Sequence, residues 1–154
     1  ELRTQAFHPW TELEGHEGRM SLSGRGGAAA VFVGTMRDFN AGENVQGMFL
    51  EHYPGMTETQ LQQICERAAE RWTLLDTLVL HRVGEISVGD AIVLVCVRAA
   101  HRGDAFDACR AIMEELKHHA PFWKKETLAA TERWVEKNTS GYARATESHG
   151  EEEG

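Results

Sequence analysis

The sequence predicts an α+β fold: a mainly antiparallel sheet carrying two main helices. Apolar runs of strand length recur at Ala28–Met36, Val45–Tyr53, Thr77–Ile86 and Ala91–Ala99. Two segments, entered near Thr57 and Asp104, instead repeat their apolar residues at helical spacing. The order mixes strands with two helices, which favours antiparallel pairing.

Residues 2–7 read as an edge strand, and Pro9–Glu17 can hold a short helix within a polar stretch that runs to Gly27. Ala28–Met36 (AAAVFVGTM) is a buried strand, with Gly34 as a bulge or a point of close approach. The polar loop Arg37–Gly42 leaves it. Val45–Tyr53 is the next strand, expected to pair with the first as its neighbour. Pro54-Gly55 is a turn signal, and Thr57 with Gln60 has the spacing of a capping box. Leu61, Ile64, Cys65, Ala68, Ala69 and Trp72 form the apolar stripe of a helix of about four turns. Thr77–Ile86 and Ala91–Ala99 are strands joined at Val88-Gly89-Asp90. The second is apolar on both faces and belongs at the centre of its sheet. Asp104 opens the second helix, with Ala105, Cys109, Ile112, Met113 and Leu116 as its buried stripe, and Pro121 stops it. Phe122–Val135 is expected to be irregular or partly extended, anchored by Trp123 and Trp134. A single domain over residues 1–138 and an acidic, disordered tail over 139–154 complete the expectation.

Composition bounds the function. A chain of 154 residues, 42% hydrophobic and 26% charged, is that of a soluble globular domain. No apolar run approaches the ~20 residues of a membrane helix, and the first ten residues lack a secretory layout, so a cytoplasmic protein is expected. Cys65, Cys96 and Cys109 are widely spaced in apolar runs and read as buried thiols. A net charge of −8 argues against nucleic acid and anionic membranes as partners. The sign reverses locally: between Arg98 and Lys125 six Lys/Arg face four Asp/Glu, before His101, His118 and His119 are counted. A basic island on an acidic protein points to a local anion site.

KHHAPFWKKE (Lys117–Glu126) is the centre of that site. On an unbroken helix Lys117 and Lys124 would lie about 10 Å apart on one face, and Pro121 bends the chain so that their ammonium groups can converge. Lys117 sits in a last helical turn, where the dipole favours a cation. Two close lysines depress a pKa and free an amine as nucleophile or general base. Spacing alone leaves the blander reading open, with Lys117 a helix-end charge and Lys124-Lys125 a solvated pair. Arg37 leaves a buried strand, where its guanidinium suits a phosphate or carboxylate. His101-Arg102 follows another strand and precedes a helix start that offers N–H groups to an anion. His52 and His81 read as structural. No metal-ligand spacing, P-loop or GxSxG elbow is present, and no cofactor is expected.

These residues make the sequence recognisable. FVGTMRDFN (Phe32–Asn40), LEHYPGMTE (Leu50–Glu58), HRVGEISVGD (His81–Asp90), AHR (Ala100–Arg102) and KHHAPFWKKE occur in one order that resembles the large, catalytic subunit of molybdopterin synthase, the MoaE family. The resemblance covers roughly Ala28–Glu136. It implies an α/β hammerhead-type fold and a homodimer carrying a small ubiquitin-like subunit at each end, a heterotetramer. It implies a sulfurtransferase that moves sulfur from the small subunit's C-terminal thiocarboxylate to cyclic pyranopterin monophosphate, forming the molybdopterin dithiolene. It further implies that Lys117 and Lys124 are catalytic and that Arg37, His101 and Arg102 bind substrate, the His-Arg pair reaching in from the opposite protomer. A noncatalytic anion-binding or adaptor domain on the same fold is the alternative.

Overall fold

The computed structural model describes residues 1–20, 24–40, 43–128 and 132–135. The described residues form, in chain order, β1 (Leu2–Arg3), α1 (Pro9–Gly18), β2 (Ala28–Thr35), β3 (Phe39–Asn40), β4 (Glu43–His52), α2 (Met56–Arg71), β5 (Leu74–Arg82), β6 (Gly84–Ser87), β7 (Ala91–Ala99), α3 (Arg102–His119), β8 (Phe122–Leu128) and β9 (Glu132–Val135).

The continuous apolar run of β7 places it inside the first sheet, ordered β1-β5-β7-β2, with antiparallel partners on both sides. One face carries Val93, Val95, Val97 and Ala99, which pack under Leu61, Ile64 and Ala68 of α2 and Ala105, Ala108, Cys109, Ile112 and Leu116 of α3. α1 is held to the other face by polar contacts, His16 Nε2 to Asp76 Oδ2 at 2.8 Å and Arg98 to Glu17 at 2.6 Å. In the second sheet β4 lies between β6 and β8, with β9 beyond β8 and β3 paired to the start of β4. Met36, Val45, Met48, Leu50 and Ile86 form its small core. The α+β class with mainly antiparallel sheets is therefore observed, and among the described residues only β1 pairs in parallel. No helix among the described residues is long and apolar enough to cross a membrane.

Several details differ from expectation. β2 and β4 are not neighbours: β7 occupies the whole length of β2, from Ala28 opposite Ala99 to Thr35 opposite Ala91. A register shift falls between Gly34 and Thr35, before the last pair, and a Cβ on Gly34 would stand 2.8 Å from Val93 Cγ1, so both readings of Gly34 hold. The run Thr77–Ile86 is two strands in two sheets, broken where Gly84 takes φ 80°. Buried Arg82 fixes the crossing by donating to the carbonyls of Thr4 (2.6 Å), Val83 (2.9 Å) and Glu85. Of the segment expected to be irregular or partly extended, Phe122–Leu128 and Glu132–Val135 are extended, as β8 and β9, whereas Trp123 and Trp134 are exposed rather than anchoring. The N-terminal strand shrinks to Leu2–Arg3. Gly55, not Thr57, caps α2, its N–H donated to Glu58 Oε2 at 2.7 Å. Ala69 is exposed, and α3 begins two residues before Asp104. The expected acidic tail, 139–154, lies outside the described residues.

Candidate functional site

Alternation along β8 turns Phe122, Lys124, Glu126 and Leu128 to the face that meets the small core. Lys124 lies opposite Leu50 and Glu126 opposite Met48 on β4. Glu126 is fully buried, and its Oε1 stands 2.7 Å from Lys124 Nζ. A carboxylate withdrawn from water among methionine and leucine needs such a partner to stay ionised. The pair therefore fixes where the Lys124 ammonium sits.

Lys117 arrives from the other side of the Pro121 turn. α3 ends at His119, Ala120 is extended at φ −73° and ψ 131°, and Phe122 N–H returns to the Ala120 carbonyl at 2.9 Å. Two contacts seat this turn. The buried Thr57 hydroxyl donates to the Pro121 carbonyl over a long 3.5 Å while accepting Tyr53 N–H at 3.1 Å. The Phe122 ring stacks on buried His81, with centroids 4.0 Å apart and planes 15° from parallel. The His81 Nδ1–H donates to the Arg82 carbonyl at 2.8 Å, and burial pushes the imidazole down to about 4, so the ring is neutral.

The two lysines meet electrostatically. Lys117 is held below the ordinary lysine value, first by partial desolvation, then by the charges of Lys124 and Arg37, with Glu114 opposing. In the single chain Lys117 is an exposed residue. Water that reaches the amine weakens both effects without changing their direction. Arg37 is exposed where β2 ends, and Met36 is tied to the β6–β7 turn by Met36 N–H to Asp90 O and Gly89 N–H to Met36 O, both 2.9 Å. The site brings together Lys117, Lys124 and Arg37, three cations suited to an anionic substrate with one amine made easier to deprotonate.

His101 and Arg102 are not in this group. They sit at the N-terminal end of α3, about 22 Å along the helix from Lys117 at ~1.5 Å per residue. There, with Gly27, Ala100 and Gly103, they line an open cleft of about 450 Å³. A Cβ on Gly27 would stand 2.2 Å from the Ala100 carbonyl oxygen, so the glycine permits the backbone approach that shapes one wall. Within one chain the five expected site residues form two groups. His118 pairs loosely with Glu114 at 3.8 Å. Cys96 and Cys109 are buried, Cys65 is half-buried, and burial raises all three thiols, Cys109 to about 11. None of them supplies a ready thiolate.

Glu126, Thr57 and His81 were missed as site residues. For Glu126 a signal existed: a Lys and a Glu two apart on a strand share a face. For Thr57 and His81 only the tertiary contact reveals the role.

Comparison with known proteins identifies the family. Residues 10–119 match the family described as MoaE protein. The chain is 50% identical to the molybdopterin synthase catalytic subunit of Pseudomonas aeruginosa over 94% of each chain. It is 49% identical to that of Vibrio cholerae, over 82% of this chain and 84% of the other. The solved molybdopterin biosynthesis MoaE protein of Burkholderia ambifaria superposes with a TM-score of 0.72 at 46% identity, covering 87% of this chain and 86% of that one. With a family model matched over most of its length and relatives at about half identity named molybdopterin synthase catalytic subunit, the chain belongs to the MoaE family.

Proposed function

We propose that this chain is the catalytic subunit of a molybdopterin synthase. It transfers sulfur from the C-terminal thiocarboxylate of a small ubiquitin-like carrier subunit to cyclic pyranopterin monophosphate, giving the dithiolene of molybdopterin. The observation that carries the reading is the crowding of Lys117 by Lys124 and Arg37 at the end of α3. Donor and acceptor are both anions, so a site of converging cations binds them. The amine with the lowered pKa gives up its proton more readily than an ordinary lysine, which suits it to exchange a proton or attack an acyl carbon.

In this reading Lys117 does the chemistry as acid/base or amine nucleophile, and Lys124 orients the carrier tail or stabilises charge on the acyl carbon. Arg37 holds substrate in the same pocket. His101 and Arg102 bind the phosphate and pterin of a site on the opposite protomer, which accounts for their distance from Lys117 along one chain. The name catalytic subunit, borne by the relatives, presupposes a second kind of subunit. A cytoplasmic location suits a biosynthetic enzyme for a phosphorylated pterin.

The test is reconstitution. Purified protein, thiocarboxylated small subunit and the cyclic monophosphate should yield a dithiolene product. Binding of both without product would leave a noncatalytic anion-binding domain instead.

A further inference from the structure

The turn that brings Lys117 and Lys124 together is short, exposed on one side, and built around a proline. Something must hold it. Thr57 contributes only one long hydrogen bond to Pro121. The closer contact is the stack of His81 on Phe122, between the last residues of β5 and the first residue of β8. His81 is itself fixed three ways: it lies opposite Val93 in β7 and opposite Leu2 in β1, and its Nδ1–H is tied to the Arg82 carbonyl. Arg82 is in turn fastened to the carbonyls of Thr4 and Val83. The ring therefore belongs to the rigid first sheet, whereas Phe122 leads the second.

From this geometry we infer that His81 is a positioning residue, whose buried ring clamps Phe122 and so sets the separation of Lys117 from Lys124. The inference deepens the sulfur-transfer reading and rests on it for the consequence in turnover, though not for the geometry. Imidazole suits the task. It is flat enough to stack on a phenyl ring, and it donates one hydrogen bond that fixes its plane. A charged ring there would add a cation beside Lys117, so the clamp works in the neutral state.

The experiment follows the titration of Lys117 by NMR of protein carrying 13C-labelled lysine, with Lys117→Arg to assign the resonance, alongside turnover. His81→Ala removes the stack, so the turn relaxes and Lys117 gains water and distance from Lys124. Its titration midpoint then moves up toward that of an ordinary lysine. With the reaction reconstituted, kcat falls about tenfold or more while KM changes little, because a displaced amine costs rate rather than binding. His81→Phe keeps a stacking ring and restores most of the depressed midpoint. Should His81→Ala fail to fold, Phe122→Leu removes the same stack from the other side and is expected to move the midpoint in the same direction. A folded variant lacking the stack whose Lys117 titrates as in the wild type overturns the inference. The NMR readout needs neither substrate nor carrier. A shifted midpoint in a protein that never makes product would refute the sulfur-transfer reading while leaving the clamp standing.

Discussion

Lys124 Nζ lies 2.7 Å from Glu126 Oε1, and both side chains stand on the inward face of β8. A fully buried carboxylate thus tethers a cation of the site from beneath. Glu126→Gln keeps the shape and removes the charge. Lys124 is partly exposed and can turn to water, so the variant is expected to fold with a stability change of under about 2 kcal/mol. Its sulfur-transfer rate should fall about tenfold or more because the ammonium is no longer held. Thermal melts and product formation check the two halves. An undiminished rate would place Glu126 outside the site's support.

His81 makes stability depend on pH. Its folded-state pKa is depressed to about 4 from 6.5, so between those values the unfolded chain binds more protons than the folded one. Stability from this group is fully present above pH 6.5 and is lost as pH falls toward 4, amounting to roughly 3 kcal/mol. Urea unfolding from pH 4 to 7 should show the slope, and His81→Phe should flatten it. Parallel curves for the two proteins would contradict the burial of a neutral imidazole.

Gly27 is expected to tolerate no side chain. A Cβ there would meet the Ala100 carbonyl at 2.2 Å, a backbone atom that cannot swing aside. Gly27→Ala should destabilise the protein by about 1–3 kcal/mol and reduce apparent affinity for the phosphorylated substrate, since the same contact shapes the cleft at His101 and Arg102. Denaturant midpoints and KM together check this outcome.

Arg102→Ala separates the two cationic groups. With Arg102 a helix length from Lys117 in the same chain, the variant should weaken apparent substrate affinity about tenfold, in the range of a lost charged contact. Folding should remain intact. Substrate titrations at fixed carrier concentration measure the effect, and an unchanged affinity would remove Arg102 from the site.

Much of this architecture is written in short-range patterns. The stripes Leu61–Ile64–Ala68 and Ala105–Cys109–Ile112–Leu116 are buried as their spacing requires, and β7 is central because it is apolar on both faces. Lys117 and Arg37 were legible as cations at element ends, and Lys124 as the second lysine across the Pro121 bend. β8 was legible only as a partly extended segment, because its inward face carries Lys124 and Glu126 where the period-two pattern looks for apolar residues. The break between β5 and β6 falls inside a segment of strand length, where Gly84 at positive φ changes the sheet. The placement of β2 beside β7 rather than β4 is a choice among apolar strands that local sequence does not encode. The separation of His101-Arg102 from Lys117 follows from the length of α3, which the helical spacing from Asp104 to Pro121 already indicated.

The most direct measurement is single-turnover sulfur transfer from thiocarboxylated carrier to cyclic pyranopterin monophosphate, comparing the wild type with Lys117→Ala. Removing a cation crowded by Lys124 and Arg37 should leave folding and dimerisation intact and the melting temperature unchanged or slightly higher. Dithiolene formation should drop by about a hundredfold or more. Transfer at the wild-type rate by a folded Lys117→Ala protein would contradict the assignment of the chemistry to this lysine.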